Sequence, residues 1–427
     1  MFDFVRRIYQ GYLRSRKIGN DLPRLNTSFN PLHTIRRIRQ RFSIPSLIQD
    51  SFLTIVILFS FYIMPLPIWG KLLFFSGLVS AILIPIFAQF FGYALPVLGW
   101  VFLFFTSRYI PLSMKEPITV SILPAVETIF YGDNLSQILA SYTCTFLDII
   151  AWIPYGLIHF AFPFIVAALI WIFAPPTTLR GFAWAFGFMN LVGVIIQDLL
   201  FPSAPPWYKV LHGLEKANYD MTGSSGGLGR IDVLLGFDLY SSNFKNSPLI
   251  FGAMPSLHSA CSTMDCLWLC YLFPSWSPLW YFYVLWLWFS TMYLTHHYFI
   301  DLVVGSCLAV AFFGIVKVSG NLPINDKFCR WSYESIRYYD PEAADPLRNT
   351  LENDVPLETF SGEPIEEAIE DAAPSSLIRD SDQFVIDDED TDGGDMFELP
   401  ERSFDDEALL ETRPESEARP VPLSASG

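Results

Sequence analysis

The sequence has 427 residues, of which 52% are hydrophobic and only 16% are charged, and its formal net charge is −16. A soluble globular domain usually carries about 25% charged residues, so the composition excludes an ordinary soluble fold. Most of the charge lies near the two ends of the chain, and between Asp50 and Arg108 the only charged residue is Lys71. The sequence therefore predicts a polytopic membrane protein.

Residues 1–43 form a basic segment that holds ten Lys and Arg residues against Asp3 and Asp21. Positively charged flanks of membrane spans remain in the cytosol, so we expect this segment to be cytosolic. The first long apolar stretch begins about fifty residues into the chain. That position is typical of a membrane anchor and not of a cleaved signal peptide.

The next region, 44–317, is predicted to be the membrane catalytic domain. A helix needs about 20 mostly apolar residues to cross a bilayer, and Pro and Gly residues break the region into about eight such stretches. The fold class is therefore all-α, a polytopic helix bundle. Eight spans would place the loops 107–150 and 202–253 in the lumen and return the C-terminus to the cytosol. The predicted spans are 52–69, 72–91, 94–107, 151–173, 182–201, 256–273, 278–296 and 299–317.

From residue 318 onward the sequence changes character. It contains acidic runs, such as 387–390 and 405–407, with few aromatic residues and scattered Pro and Ser. Such a composition cannot bury enough apolar surface to offset the entropy cost of ordering the chain. We expect residues 318–427 to form an acidic, mostly disordered cytosolic tail.

Two segments carry the residues suited to catalysis, and each opens a predicted span. One contains Ser256 and His258, and the other contains His297 and Asp301. Ionisable groups at the edge of a membrane are costly and tend to mark function. His297 and Asp301 are four residues apart, so on a helix they share a face. A carboxylate bound to one ring nitrogen leaves the other free to attack.

The same pattern suggests roles for the other residues. His258 would act as a general acid and then as a general base. Ser256 and the free amides of the helix start would hold phosphate oxygens. Two spans separate the segments, so both should begin on the same membrane face. One isolated histidine would be read as an anchor of a helix end, but three groups on one face favour an active site.

The motif Pro-Ser-x-His at 255–258, followed by His-x-x-x-Asp at 297–301, resembles the second and third motifs of the type 2 phosphatidic acid phosphatase superfamily. The resemblance implies a six-helix core with two additional N-terminal spans. It also implies that His297 is the nucleophile, that Asp301 orients it and that His258 is the acid and base. No carboxylate cluster suited to Mg²⁺ accompanies the motifs, so no metal or other cofactor is expected.

Three further segments, 201–208, 226–232 and 293–298, look like the fungal inositol phosphorylceramide synthases, also known as aureobasidin A resistance proteins. This resemblance covers roughly 40–320. It implies transfer of phosphoinositol from phosphatidylinositol to ceramide, through a phosphohistidine, in the Golgi membrane. It also implies a small regulatory membrane subunit as a partner, and no nucleic acid.

The sequence departs from the phosphatases at two points. Their first motif, Lys-x6-Arg-Pro, is absent after Lys209, and the Arg of their third motif is missing because Thr291 follows Ser290. Fewer phosphate-binding cations suit a phosphodiester, which carries one charge fewer than a monoester. Lys209 and Arg230 are the predicted substitutes for the missing cations, although cations in such loops are usually only solvated.

Two alternative functions remain open at this point. One is a lipid phosphate phosphatase, in which water replaces ceramide, and the other is a non-catalytic lipid transporter or scaffold. Two further carboxylates are given non-catalytic interpretations. Asp265 is interpreted as a polar contact between helices. Asp198 could face the site, but it is interpreted as a solvated group at the membrane interface. The sequon at Asn134 lies in a predicted luminal loop and is a candidate for glycosylation.

Overall fold

The structure, a computed structural model, describes residues 26–40, 43–174 and 178–319. Nearly all of the predicted acidic tail and most of the basic N-terminal segment lie outside these residues. Within them the chain forms α-helices and no β-strand, only isolated bridges. The α-helices are α1 (Pro31–Gln40), α2 (Ile44–Ile63), α3 (Ile68–Leu83), α4 (Pro85–Phe91), α5 (Leu95–Thr106), α6 (Ile122–Tyr131), α7 (Leu135–Ser141), α8 (Thr145–Trp152), α9 (His159–Phe173), α10 (Thr178–Ile195), α11 (Pro206–His212), α12 (Leu228–Leu235), α13 (Tyr240–Lys245), α14 (Leu257–Leu272), α15 (Ser277–Tyr293) and α16 (Phe299–Val318).

Helix α2 begins and ends where local chemistry dictates. Ser43 caps its N-terminus, and Ser43 and Ser46 form a reciprocal capping box. The helix ends before Pro65, because a residue that precedes proline is disfavoured in the helical region. The predicted span 52–69 was therefore placed too late, since the helix runs from residue 44 to residue 63.

The predicted span 72–91 is not one straight helix. Helices α3 and α4 are bent by 95° at Ile84. Pro85 follows this residue and starts α4, and a proline cannot donate the backbone hydrogen bond that would continue α3. The single predicted span is therefore wrong as a continuous helix.

Two long helices contain π-helical turns. Helices α8 and α9 form one apolar helix of 29 residues, Thr145–Phe173, through a π-helical turn at Ile153–Ile158. Helix α10 ends in a second such turn, Ile196–Leu200. Single π-helical turns are rare and often occur at functional sites.

The helices make this a multi-pass membrane protein. Among the described residues, four helices are long and apolar enough to cross a bilayer, and the bent pair α3–α4 would be a fifth. Helices α14 and α15 have 16 and 17 residues and are shorter than the usual span. The number of eight spans remains a prediction.

The core of the bundle lies between α9, α10, α14 and α16. Helix α14 packs against α15, α16, α9 and α10, and α10 packs against α5. Trp268, Met264 and Phe182 are among the residues of the largest buried cluster. Lipid tails are as apolar as these side chains, so close packing, more than the hydrophobic effect, holds such helices together.

The two long loops are folded against each other at one end of the bundle. Ser203 forms parallel bridges with Thr119 on one side and Gly252 on the other. The amide of Ser203 donates to the carbonyl of Phe251 at 2.7 Å. These bonds fix the start of the segment that leads into α14 and His258.

Candidate active site

The two predicted catalytic segments meet in the structure. His258 is the second residue of α14, and His297 lies in the turn between α15 and α16. Nδ1 of His258 is 3.0 Å from Nε2 of His297, and Nδ1 of His297 is 3.2 Å from Oδ1 of Asp301. The expected convergence on one face of the bundle is therefore present.

The arrangement of the carboxylate indicates which nitrogen of His297 carries its proton. Asp301 is fully buried, and its second oxygen accepts a hydrogen bond from the amide of Tyr298 at 3.0 Å. The contact between Asp301 and Nδ1 of His297 has ion-pair distance, but it is out of line for a hydrogen bond. A carboxylate beside Nδ1 favours a proton there. Nε2 then accepts the proton of Nδ1 in His258.

His297 and Asp301 do not share a helical face as the spacing suggested. Helix α16 starts at Phe299, with Tyr298 as its N-cap, so His297 precedes the helix. Thr295 has a φ of 64°, which breaks the helical geometry between the end of α15 at Tyr293 and the start of α16 at Phe299. The contact between the two residues is made across the helix start.

Ser256 has a structural role in this arrangement. Its hydroxyl accepts a hydrogen bond from the amide of Ser259 and caps α14. Its own amide donates to the carbonyl of Asp301 at 3.0 Å, and the residue is fully buried. The predicted phosphate contact from this side chain would compete with the cap. The backbone bond joins the starts of α14 and α16.

The loop before α14 is held by a glutamine that the sequence analysis did not identify. Nε2 of Gln197, in the π-helical end of α10, donates to the carbonyls of Gly252 and Pro255 at 2.9 and 2.7 Å. Only 3% of Gln197 is exposed. This side chain therefore ties the end of α10 to the loop that positions His258.

A stack of rings surrounds the histidines. Tyr155 stacks on His258 at a centroid distance of 4.7 Å and on His296 at 5.2 Å. Phe244 also stacks on His296, at a centroid distance of 4.6 Å. Nε2 of His296 lies 3.0 Å from the carbonyl of Ser225. His296 thus anchors the loop, and Tyr155 was missed because a tyrosine in an apolar helix carries no catalytic signal in sequence.

A cavity of about 100 Å³ opens onto the histidines. Residues of α13, the loops around 205 and 223, and the segment 247–253 line it, together with Tyr155 and the three histidines His258, His296 and His297. Neither Lys209 nor Arg230 is among its lining residues. The polar groups that face the cavity are therefore mainly imidazoles and serine hydroxyls.

Both predicted cations have other partners. Nη2 of Arg230 is 2.7 Å from Oδ1 of Asp148, which also accepts the hydroxyl proton of Tyr293 at 2.9 Å. With the Asn134 amide oriented to donate to Glu127, its oxygen lies 3.0 Å from Nζ of Lys209. These two cations support the loops beside the site.

Glu127 is a further residue that the sequence analysis missed. Its Oε1 accepts a hydrogen bond from the amide of Phe299 at 2.8 Å, so it holds the start of α16. Burial raises the pKa of Glu127 to about 7; the amide of Phe299 and Lys209 oppose this shift, while the charge of Asp301 adds to it. Nothing in the local sequence distinguishes this glutamate from a solvated one.

The interpretation of Asp198 as a solvated group at the membrane interface was wrong. Asp198 is only 2% exposed, and it forms an ion pair with Lys115 at 2.7 Å. It is therefore a buried partner of the loop 107–150 and not a solvated group. Asp265 is 1% exposed, and its Oδ1 has no hydrogen-bond partner among the described residues.

In the described ranges, no group of His, Cys, Asp and Glu side chains has an arrangement that could hold a metal ion.

Comparison with known proteins places these residues in a family context. Residues 123–315 match the sequence model of the PAP2 superfamily. The chain is 52% identical to the inositol phosphorylceramide synthase catalytic subunit of Saccharomyces cerevisiae, over 81% of this chain and 87% of that protein. It is 49% identical to the inositol phosphorylceramide synthase of Candida albicans, over 80% of this chain and 73% of that protein.

A bacterial relative is more distant. The phosphoinositol dihydroceramide synthase of Bacteroides thetaiotaomicron is 31% identical over 162 residues, which cover 36% of this chain and 52% of that protein. No solved structure matches the chain significantly.

Proposed function

The chain belongs to the inositol phosphorylceramide synthases of the PAP2 superfamily, and from this premise we propose how its histidine site performs the transfer. The enzyme moves phosphoinositol from phosphatidylinositol to ceramide and releases diacylglycerol. The observation that carries the mechanism is the contact of His258 with Nε2 of His297, with Asp301 behind Nδ1.

In the first step, Nε2 of His297 attacks the phosphorus of phosphatidylinositol. A nitrogen–phosphorus bond forms, and the bond from phosphorus to the diacylglycerol oxygen breaks. His258 gives its proton to the departing oxygen, so diacylglycerol leaves as a neutral alcohol. Asp301 stabilises the positive charge on the phosphorylated His297 ring, because a buried carboxylate favours the imidazolium.

In the second step, the primary hydroxyl of ceramide attacks the same phosphorus. The new oxygen–phosphorus bond replaces the nitrogen–phosphorus bond, and the hydroxyl proton moves to His258. His258 thus regains the proton that it lost, and His297 regains its free Nε2. This two-step route is covalent catalysis by an activated nucleophile.

The phosphodiester carries one negative charge, and the start of α14 is suited to it. The first amides of a helix have no partner within the helix and carry partial positive charge. Such amides bind anions, and His258 is the second residue of α14. We place the phosphate oxygens against these amides. Ser256, Lys209 and Arg230 are not needed as direct phosphate contacts, because each has a structural partner.

The orientation in the membrane is also part of the proposal. Helix α1, with Arg36, Arg37 and Arg39, shares a cleft with Asp50, and Asp50 shares another with Arg180 at the start of α10. The far end of α10 carries Gln197, beside the active site. Basic flanks face the cytosol, which supports a luminal active site.

The remaining features of this proposal come from the family resemblance and the sequence. They are a Golgi location, both termini in the cytosol, a small regulatory membrane subunit and an acidic tail whose residues from about 350 onward are dispensable for catalysis.

The proposal is tested with purified full-length enzyme and phosphatidylinositol labelled in its head group, with and without ceramide. Labelled inositol phosphorylceramide should form only with ceramide, and an acid-labile phosphohistidine should be trapped in wild type. His297→Ala should lose both. His258→Ala should slow turnover by about 10²–10⁴-fold. Asp301→Asn, which keeps the shape and removes the charge, should slow it comparably.

His296→Gln is the matched control for the nucleophile, because this neighbouring imidazole binds a backbone carbonyl. It should lower turnover but keep the phosphohistidine. Turnover in His297→Ala, or loss of the phosphohistidine only in His296→Gln, would show that the assignment is wrong. Release of labelled inositol phosphate without ceramide would favour a phosphatase. Unchanged function in all the histidine variants would favour a non-catalytic transporter.

A further inference from the structure

A fourth histidine, His159, lies at the active site without a role in the mechanism. Its ring centroid is 4.7 Å from that of His258. Its Nδ1 is buried and has no hydrogen-bond partner among the described residues. Leaving a buried polar atom unpaired costs the free energy of its desolvation, and native structures rarely tolerate it. An unmet hydrogen bond beside a catalytic residue indicates a place for a ligand.

The backbone holds His159 in this position by an unusual turn. His159 directly follows the π-helical turn Ile153–Ile158, which also carries Tyr155. Tyr155 and His159 both contact the ring of His258. A Cβ on Gly156 would overlap the indole of Trp152 and come within 2.6 Å of the hydroxyl of Tyr240. The turn is therefore packed closely and presents two rings to the acid and base.

His159 contacts the ring of His258 but does not line the loop cavity. Most residues that line this cavity belong to the long loops, and Tyr155 from the π-helical turn joins them. His159 lies one helical turn further along Thr145–Phe173, one of the helices that can cross a membrane. A water-soluble head group can reach His258 through the loop cavity. A lipid whose reacting hydroxyl sits beside its hydrocarbon chains reaches it from the helix side.

We propose that Nδ1 of His159 binds the polar end of the acceptor lipid and aligns its primary hydroxyl with His258. This proposal rests on the proposed function, because it names the acceptor side of the same site. Ceramide carries a second hydroxyl and an amide close to its primary hydroxyl, whereas the departing diacylglycerol carries one hydroxyl and two esters. A ring nitrogen that pairs with the second hydroxyl or the amide favours ceramide over diacylglycerol as acceptor.

The proton balance of the reaction is unchanged by this residue. The proton of the primary hydroxyl still moves to His258 as the oxygen–phosphorus bond forms and the nitrogen–phosphorus bond breaks. His159 keeps its own protonation throughout. It should affect the second step and leave the first step nearly intact, since phosphatidylinositol does not use it.

The test separates the two half-reactions in the full-length enzyme with His159→Phe, which keeps a ring but removes both nitrogens. Release of diacylglycerol in a single turnover without ceramide should stay within about twofold of wild type. Transfer from the phosphoenzyme to ceramide should fall by about 10–100-fold, the usual effect of losing one hydrogen bond to a buried substrate group. His159→Gln, which keeps a hydrogen-bonding group, should recover part of the transfer.

Ceramide analogues test which polar group of the acceptor binds His159. Ceramides lacking the second hydroxyl, or with a methylated amide, should be poor acceptors for wild type. At least one of these analogues should be nearly as good an acceptor for His159→Phe as for wild type, because removing both partners of one contact costs little more than removing either. Tyr283→Phe is the matched control, since the Tyr283 hydroxyl is a different buried polar group of the same bundle that has no hydrogen-bond partner among the described residues. It should leave both half-reactions unchanged.

Equal losses in both half-reactions for His159→Phe would overturn the proposal, because they would mean that the ring only positions His258. Unchanged transfer to ceramide would overturn it as well. The proposal would also be contradicted if His159→Phe lowered transfer to both analogues by the same factor as transfer to ceramide. These results differ from failure of the proposed function, which would appear in wild type as no transfer to ceramide.

Discussion

Gly305 allows close contact between α14 and α16, the helices that carry His258 and Asp301 of the proposed site. A Cβ built at this position would overlap the carbonyl oxygen of Ser256 and lie 3.2 Å from Cβ of Ser259. The hydroxyl of Ser259 donates to the carbonyl of Leu302 at 2.6 Å in the same crossing. Small residues permit such close approach between membrane helices. Gly305→Ala should therefore push the start of α14 away from α16.

The size of this displacement follows from ordinary contact distances. Carbon atoms pack at about 3.5–4 Å, so a methyl group at this site requires the two helices to move apart by roughly 1 Å. A misplacement of about 1 Å costs on the order of 10²-fold in rate. Overpacking costs about 1–3 kcal/mol, while alanine gains about 0.5–1 kcal/mol over glycine within a helix. The activity should therefore fall far more than the stability.

Gly314→Ala is the matched control because Gly314 lies in the same helix and a Cβ there meets nothing within 4 Å. It should keep the wild-type rate and be up to about 1 kcal/mol more stable. The assay is the initial rate of labelled phosphoinositol transfer, with the melting temperature of each purified variant. If Gly305→Ala has the rate and melting temperature of wild type, close contact at this crossing does not align His258 with His297.

Three further predictions concern Glu127, Asn134 and the loop that contains Asn218. Burial raises the pKa of Glu127 to about 7, above its unfolded value, so the stability that its protonated form contributes should be lost as the pH rises through 7. The melting temperature of Glu127→Gln should therefore depend less on pH between 5 and 8 than that of wild type. Identical profiles of melting temperature against pH would refute this. Asn134 is 2% exposed, so its sequon should remain unmodified in the folded protein. Asp220→Thr completes a sequon at the exposed Asn218 and should add one glycan if this loop is luminal. A gel mobility shift when the wild type is deglycosylated would contradict the burial of Asn134. The absence of a shift for Asp220→Thr would contradict the luminal orientation of this loop.

The sequence alone was sufficient for the class of the fold and for the convergence of three candidate catalytic residues. Long apolar stretches require helices in a membrane, because backbone groups in lipid must bond within their own segment. The positions of His258, His297 and Asp301 in two span openings were enough to predict that they converge. Their contact distances agree with that prediction.

The supporting residues depended on contacts between segments far apart in the chain. Glu127 reaches Phe299 over 172 residues, and Gln197 reaches Pro255 over 58. No local pattern marks such partners, because a glutamate or glutamine has the same propensities whether it is solvated or buried. The predicted cations failed to line the cavity for the same reason, since Asp148 and Asn134 bind them from distant segments.

The local geometry of the site was decided by the tertiary structure as well. The spacing of His297 and Asp301 suggested a shared helical face, but the chain turns at Thr295 and the helix begins only at Phe299. The ring stack on His258 depends on the π-helical turn at Ile153–Ile158. A long apolar stretch determines that a segment is a helix in the membrane, because its length and composition are properties of the segment itself. The position of a turn and the partner of a buried polar group depend on which distant side chains pack there, so only the folded chain decides them.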